Sequence, residues 1–265
     1  MHDVVAAQQE WRRAQKFVSD HIQPQTPPSY LMHVIPGVAQ LFDILGWDVR
    51  LHGPTNLGSR DLSQLFSRRT LSGTFLDSAL SMSNGWRKVC AAFLGEDIMI
   101  STLDLQWPFL LAARDPSVID WGNLFSERAG SLSYLRDIGE ELLNGSLMEI
   151  AMPLWINENH YAAVSLNPHQ RTLYYGDSLI DSTLPQSDLE GLRSYARALG
   201  YELQPTVQPL AHSIQADGHS CPDCTINTIE RRVWPLTRPW TPTLAVLERA
   251  EYALLLATHQ TVYSL

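Results

Sequence analysis

SLMEIAMPLWI at 146–156, HYAAVSL at 160–166 and RTLYYG at 171–176 decide the fold of this chain. Each piece is short and rich in apolar, aromatic and β-branched residues. Asn157-Glu158-Asn159 and Asn167-Pro168-His169-Gln170 separate them with turn formers. That pattern predicts a three-stranded antiparallel meander.

Upstream the spacing is helical. Val4, Val5, Trp11, Ala14, Phe17, Val18 and Ile22 recur at close to a helical period over 3–22. The run should stop before the proline-rich turn at 23–28. Residues 37–47 read as a second helix, and 71–84 as a third with Leu71, Phe75, Leu76, Ala79 and Leu80 on one stripe. A short strand is expected at 97–102 and one or two helices at 119–143. Downstream, 188–199 reads as helix, 202–208 as strand, and 221–233 and 242–258 as helices. The last is opened by Thr241 and Pro242, a cap followed by a first-turn proline. Helices, then a meander, then helices predict an α+β domain rather than alternating βαβ units. Residues 1–55 form an N-terminal helical extension in this reading, and 56–265 the main domain.

Composition narrows the class. The chain has 265 residues, 45% hydrophobic and 18% charged, enough for a sizeable core. The formal net charge is −9, and tight basic clusters occur only as pairs, such as Arg12-Arg13, Arg68-Arg69 and Arg231-Arg232. A nucleic-acid grip needs concentrated positive charge, so no nucleic-acid partner is expected. Cys90, Cys221 and Cys224 are too few for a disulfide framework, which favours a reducing compartment. No apolar run approaches the roughly 18 residues of a membrane helix. The N-terminus lacks the order of a secretion signal. The expectation is a soluble chain of the cytoplasm or nucleus, with no membrane partner.

Thiol hydrolysis needs a thiolate, a base, a group that holds the base, and donors for an oxyanion. Cys221 precedes Pro222 and a helical pattern, so it stands at a helix N-terminus, where the dipole favours an anion. The polar turn Ala216-Asp217-Gly218-His219-Ser220 is expected to present the sulfur at the surface end of that helix. His160 heads one strand and Asp177 follows the tail of the next. In an antiparallel pair these positions lie side by side, so Asp177 can hold one imidazole nitrogen and leave the other for a thiol. Gln215, six residues before Cys221, is a candidate oxyanion donor: its amide N–H beside the Cys221 backbone N–H would form an oxyanion hole. Taken singly, each residue also fits a plainer role: a buried cysteine, an exposed strand histidine, a turn aspartate, a polar loop glutamine.

These residues resemble a known family. Trp155-Ile156-Asn157-Glu158-Asn159-His160-Tyr161 is similar to the His-Trp strand of the ubiquitin-like proteases, the SUMO-protease group. Tyr174-Tyr175-Gly176-Asp177-Ser178-Leu179 resembles its Asp-Ser strand end, and Gln215 to Cys221 its active-site turn. The order His, Asp, Gln, Cys is the same. A weaker similarity runs through 61–80, where the family has a substrate-facing helix. The resemblance implies a papain-like cysteine protease fold, with a central mostly antiparallel sheet flanked by helices, and a catalytic domain over 56–265. It implies cleavage after the C-terminal glycine of SUMO, NEDD8 or ubiquitin, or of the isopeptide bond in their conjugates. It implies no metal and no cofactor. Tyr161, Trp155, Thr70 and Leu71 become candidate substrate-binding residues. Tyr161 stands where the family usually has Trp, Pro222 where it has Gly, and Thr70-Leu71-Ser72-Gly73 where it has Trp-Leu-Asn-Asp. These departures bear on the narrow glycine tunnel more than on the thiol chemistry.

Other readings of the same residues stay open. Cys221-Pro222-Asp223-Cys224 has the spacing of a thiol redox pair. His212, His219, Cys221 and Cys224 form a possible zinc set. The protease fold can serve as a binding module with little turnover. A cysteine acetyltransferase shares the constellation, with Glu in place of Asp177.

Overall fold

The computed structural model describes residues 2–22, 34–47, 49, 57–66, 71–94, 98–101, 106–115, 118–125, 132–157 and 159–262. The turn expected at 23–28 lies outside them. The chain forms two compact units. One comprises Met1–Met82, Gln215–Asp223 and Trp240–Leu265; the other comprises Ser83–Ile214 and Cys224–Pro239.

The first unit is helical. It holds α1 (His2–Ile22), α2 (Val34–Ile44), α3 (Ser59–Gln64), the start of α4 (Gly73–Leu94) and α9 (Ala245–Val262). The helical stripe read at 3–22 points Trp11, Ala14 and Val18 inward. Trp11 meets Phe42 of α2 at 4.4 Å between ring centroids, and Phe42 meets Phe66 edge-on at 5.5 Å. Phe75 of α4 packs edge-on against Tyr252 of α9. The helices within 1–55 therefore share a core with α3 and α9. The last helix begins at Ala245, later than the Thr241-Pro242 start expected. Residues 242–244 form a turn, with Leu244 N–H donating to Thr241 O.

The second unit carries the sheet. Its strands are β1 (Ile98–Ile100), β2 (Glu149–Ile156), β3 (His160–Asn167), β4 (Thr172–Gly176) and β5 (Gln208–Pro209), in spatial order 1-2-3-4-5. The predicted meander forms the centre: β2–β3 and β3–β4 are antiparallel. Both edges are parallel, β1 to β2 and β5 to β4. The strand expected at 202–208 shrinks to Gln208–Pro209. Leu203 turns into the core, and Pro205 and Pro209 lack the N–H that a ladder needs.

Alternation along the strands separates two faces. Ile150, Met152, Leu154 and Ile156 of β2, Ala162, Val164 and Leu166 of β3, and Leu173 and Tyr175 of β4 fill one apolar core. Helices α5 (Gln106–Arg114), α6 (Ser133–Asn144) and α7 (Gln186–Ala198) cover it through Phe109, Leu135, Leu142, Leu192 and Tyr195. Helix α5 was not anticipated from the sequence. Its Pro108 is tolerated because first-turn N–H groups have no intrahelical partner to lose. Gly191 lets α7 approach α5 closely, since a Cβ there would stand 2.7 Å from Phe109 O. The opposite face receives α8 (Cys221–Val233) through its later turns. Arg232 pairs with buried Glu149 at 2.5 and 2.6 Å and lies over the Tyr174 ring. Among the described residues no helix is long and apolar enough to cross a membrane.

Candidate active site

Register explains how the sheet brings His160 and Asp177 together. The β2–β3 hairpin closes at the pair Ile156–His160, and Asn157 takes the left-handed conformation at φ 51°, which Asn accepts more readily than most residues. In the next ladder Ala163 faces Gly176. The residue after Gly176 therefore falls across from Ala162, diagonal to His160 and on the same face. His160 Nε2 lies 2.6 Å from Asp177 Oδ1, and the two side chains are 7% and 2% exposed.

Asp177 does two jobs that the sequence presented as alternatives. It holds the imidazole, and its Oδ1 also accepts the Leu179 N–H at 2.8 Å, closing an aspartate turn. Its Oδ2 accepts the hydroxyls of Tyr175 at 2.6 Å and Ser182 at 2.5 Å. Burial alone would push this carboxyl up. Hydrogen bonds from His160, Ser182, Tyr175 and the Leu179 N–H outweigh it and bring the value down to about 2. Burial and the Asp177 hydrogen bond push the Tyr175 phenol well above its ordinary range, so it stays a donor. With Nε2 bound to an ionised carboxylate, Nδ1 is the ring nitrogen able to take up a thiol proton.

The helical unit holds the other two candidates. Cys221 opens α8, as expected, but it is buried at 2% exposure rather than presented at the surface. Both Cys221 and Cys224 are free thiols. The turn before them is built on Asp217. Its Oδ1 accepts the N–H groups of His219 and Ser220 at 2.9 and 2.8 Å, and its Oδ2 accepts the Ser220 hydroxyl at 2.8 Å. Burial works against the charge of Asp217, but these donors and His219 hold its carboxyl below the usual range. Gln215 belongs to the same turn. Its Nε2 donates to Asp217 O at 2.7 Å, which fixes the amide within the loop. One residue past Pro222, Asp223 is paired with Arg249 of α9.

The candidate substrate contacts are placed differently. Tyr161 and Trp155 are direct cross-strand partners with ring centroids 4.3 Å apart, so each is the other's neighbour. Trp155 is half-buried and packs against the sheet core. Leu71 is 2% exposed and lies in the interior of its unit. Thr70 lies outside the described residues. Of the histidines in the possible zinc set, His212 bonds Leu210 O at 2.8 Å and His219 lies 3.2 Å from Asp217. Among the described residues no group of three or more His, Cys, Asp or Glu is placed to hold a metal.

Tyr175, Ser182 and Asp217 were not picked out as site residues from the sequence. Tyr175 had a signal: two positions before Asp177 on a strand means the same face. Ser182 had none, because its approach to Asp177 depends on a loop.

No family profile and no curated protein matches the chain. Solved structures do. The SUMO protease Ulp1 with its catalytic cysteine oxidised to a sulfinic acid aligns at TM-score 0.58 and 16% identity, over 90% of this chain and 98% of that one. The C-terminal Ulp1 protease domain in complex with SMT3, the yeast ortholog of SUMO, aligns at 0.58 and 16%, over 89% and 97%. The Chaetomium thermophilum Ulp1-like SUMO protease catalytic domain aligns at 0.51 and 15%, over 79% and 82%. The strand meander, the buried His–Asp pair at its end and this likeness over most of the chain lead to one conclusion: the protein has the fold of the Ulp1-like ubiquitin-like proteases.

Proposed function

We propose that this protein is a cysteine peptidase that cleaves after the C-terminal glycine of SUMO or a related ubiquitin-like modifier, including isopeptide-linked conjugates. The observation that carries the reading is the buried His160–Asp177 pair at 2.6 Å, in a fold shared with SUMO proteases. In this reading Cys221 is the nucleophile, His160 the base and Asp177 the orienter. Gln215 and the Cys221 N–H are the oxyanion donors.

The chemistry balances without a cofactor. His160 Nδ1 takes the proton from the Cys221 sulfur, and the thiolate attacks the glycyl carbonyl carbon. The oxyanion donors stabilise the tetrahedral intermediate. The C–N bond breaks as His160 returns the proton to the leaving amine, which leaves a thioester. Water, deprotonated by His160, then attacks that thioester, and the thiol is released. Asp177 keeps the imidazole in one orientation throughout. The burial of Cys221 suits a substrate whose end is slender, as a glycine C-terminus is.

The test is a panel of C-terminal propargyl probes built on SUMO, NEDD8 and ubiquitin, with mass spectrometry of the adduct. Labelling of Cys221 by one probe, lost in Cys221→Ala, is the expected result and names the modifier. Binding of a modifier without labelling by any probe would replace this reading with a non-hydrolysing binding module. The departures at Tyr161 and Pro222 from the family's usual Trp and Gly are what favour that second reading.

A further inference from the structure

The far oxygen of Asp177 is engaged as fully as the one that faces His160. Oδ2 accepts from Tyr175 at 2.6 Å and from Ser182 at 2.5 Å, and the two hydroxyl oxygens lie 3.3 Å apart. We propose that Tyr175 and Ser182 form a clamp that holds the Asp177 carboxylate in the plane His160 needs, which makes both of them positioning residues. The proposal rests on the reading of Asp177 as the orienter of His160.

Three observations carry it. A carboxylate turns readily about its last bond, because that torsion is broad. Held through Oδ1 alone, the group could swing away from Nε2. Donors on Oδ2 from two places, strand β4 and the loop after it, stop that swing.

The second observation concerns Ser182. It is half-buried in a loop whose neighbours Ile180, Asp181 and Thr183 are exposed. The loop borders a cavity of about 500 Å³ whose lining includes Leu179, Ile180, Leu184 and Val207. Core packing does not force the Ser182 hydroxyl onto Asp177; hydrogen bonding accounts for it.

The third is the backbone. Asp181 adopts φ 60°, a left-handed conformation that an L residue takes at a cost. That bend turns the chain so that Ser182 comes back toward Asp177. Tyr175 arrives more simply, because residues two apart on a strand share a face.

The 265-residue chain carrying Ser182→Ala, Tyr175→Phe or both tests the clamp, with Ser182→Thr as the conservative rescue. Two readouts are used. The first is the His160 Nε2 proton by NMR, which a short charge-assisted bond shifts downfield and shields from exchange. The second is kcat and KM on aminomethylcoumarin derivatives of the ubiquitin-like modifiers. The clamp predicts that the proton signal broadens into the water exchange in the double variant. It also predicts that each single variant loses roughly ten-fold in kcat, the worth of one hydrogen bond to a charged group, with KM nearly unchanged. Ser182→Thr should recover most of that loss. An unchanged proton signal in the double variant, or a kcat loss that merely tracks a falling melting temperature and is not rescued by Thr, overturns the clamp. If the wild-type chain hydrolyses no derivative, the functional reading fails, and the proton signal alone then decides the clamp.

Discussion

Arg249 of α9 grips Asp223, two residues after Cys221, with Nη2–Oδ2 at 2.6 Å and Nε–Oδ1 at 3.2 Å, and both side chains are buried. A third nitrogen, Nη1, points to Leu65 O at 3.4 Å. Burial pushes the Asp223 carboxyl up, so its ionised form depends on Arg249. The pair ties the first turn of α8 to α9 within the helical unit.

Removing one partner leaves a buried charge unpaired. Arg249→Ala should therefore cost about 3–5 kcal/mol of stability, read as a lower urea midpoint. Asp223→Ala together with Arg249→Met should recover most of it, because a paired deletion leaves no orphaned charge. A single Arg249→Ala variant as stable as wild type would show that the pair contributes little.

Gly176 has no room for a side chain. A Cβ there would stand 2.9 Å from Leu210 Cβ and 3.0 Å from Thr228 Cγ2. Gly176→Ala should therefore overpack the contact between β4 and α8 and destabilise by about 1–3 kcal/mol. The same shift moves the next residue, Asp177. Thermal melting measures the first effect. Loss of the protected His160 proton in a still-folded sample measures the second.

Asp177 links stability to acid. Its carboxyl lies at about 2 in the folded chain against 3.8 as a free side chain. A depressed folded value means the contribution is fully present from about pH 5 upward and is lost as pH falls toward 2. The size is roughly 2 kcal/mol. Urea titrations from pH 5 to pH 2 should show this loss in the wild type. In Asp177→Asn that part of the acid dependence should be absent.

The catalytic reading separates its members by size of effect. Cys221→Ala and His160→Ala should abolish cleavage and leave modifier binding intact, measured by calorimetry. Gln215→Ala should lower kcat on the order of 10²–10³, the worth of an oxyanion donor. A Cys221→Ala protein that still cleaves would remove the nucleophile assignment. A Gln215→Ala protein with wild-type kcat would leave Gln215 as a loop brace for Asp217, the contact it makes in the structure.

Much of the site was legible because its signals are local. The turn Asn157-Glu158-Asn159 and the run ending at Gly176 set the ends of two strands. Once those strands pair, the ladder puts residue 177 diagonal to residue 160. The start of α8 at Cys221 followed from Pro222 and the apolar period after it. The strand at 202–208 misled for an equally local reason: apolar residues alternate there, but Pro205 within the run and Pro209 just past it lack the donors that pairing needs.

Alternation, turn chemistry and helix starts settled in advance which residues would open and close the central strands, since each is a property of a few adjacent side chains. Packing alone decided that Cys221 would be buried, that Leu71 would lie inside, that Arg249 would find Asp223, and that Ser182 would bend back onto Asp177. Such contacts join groups that the chain must first fold to bring within about 3 Å of each other. Nothing in a short window of residues encodes that distance.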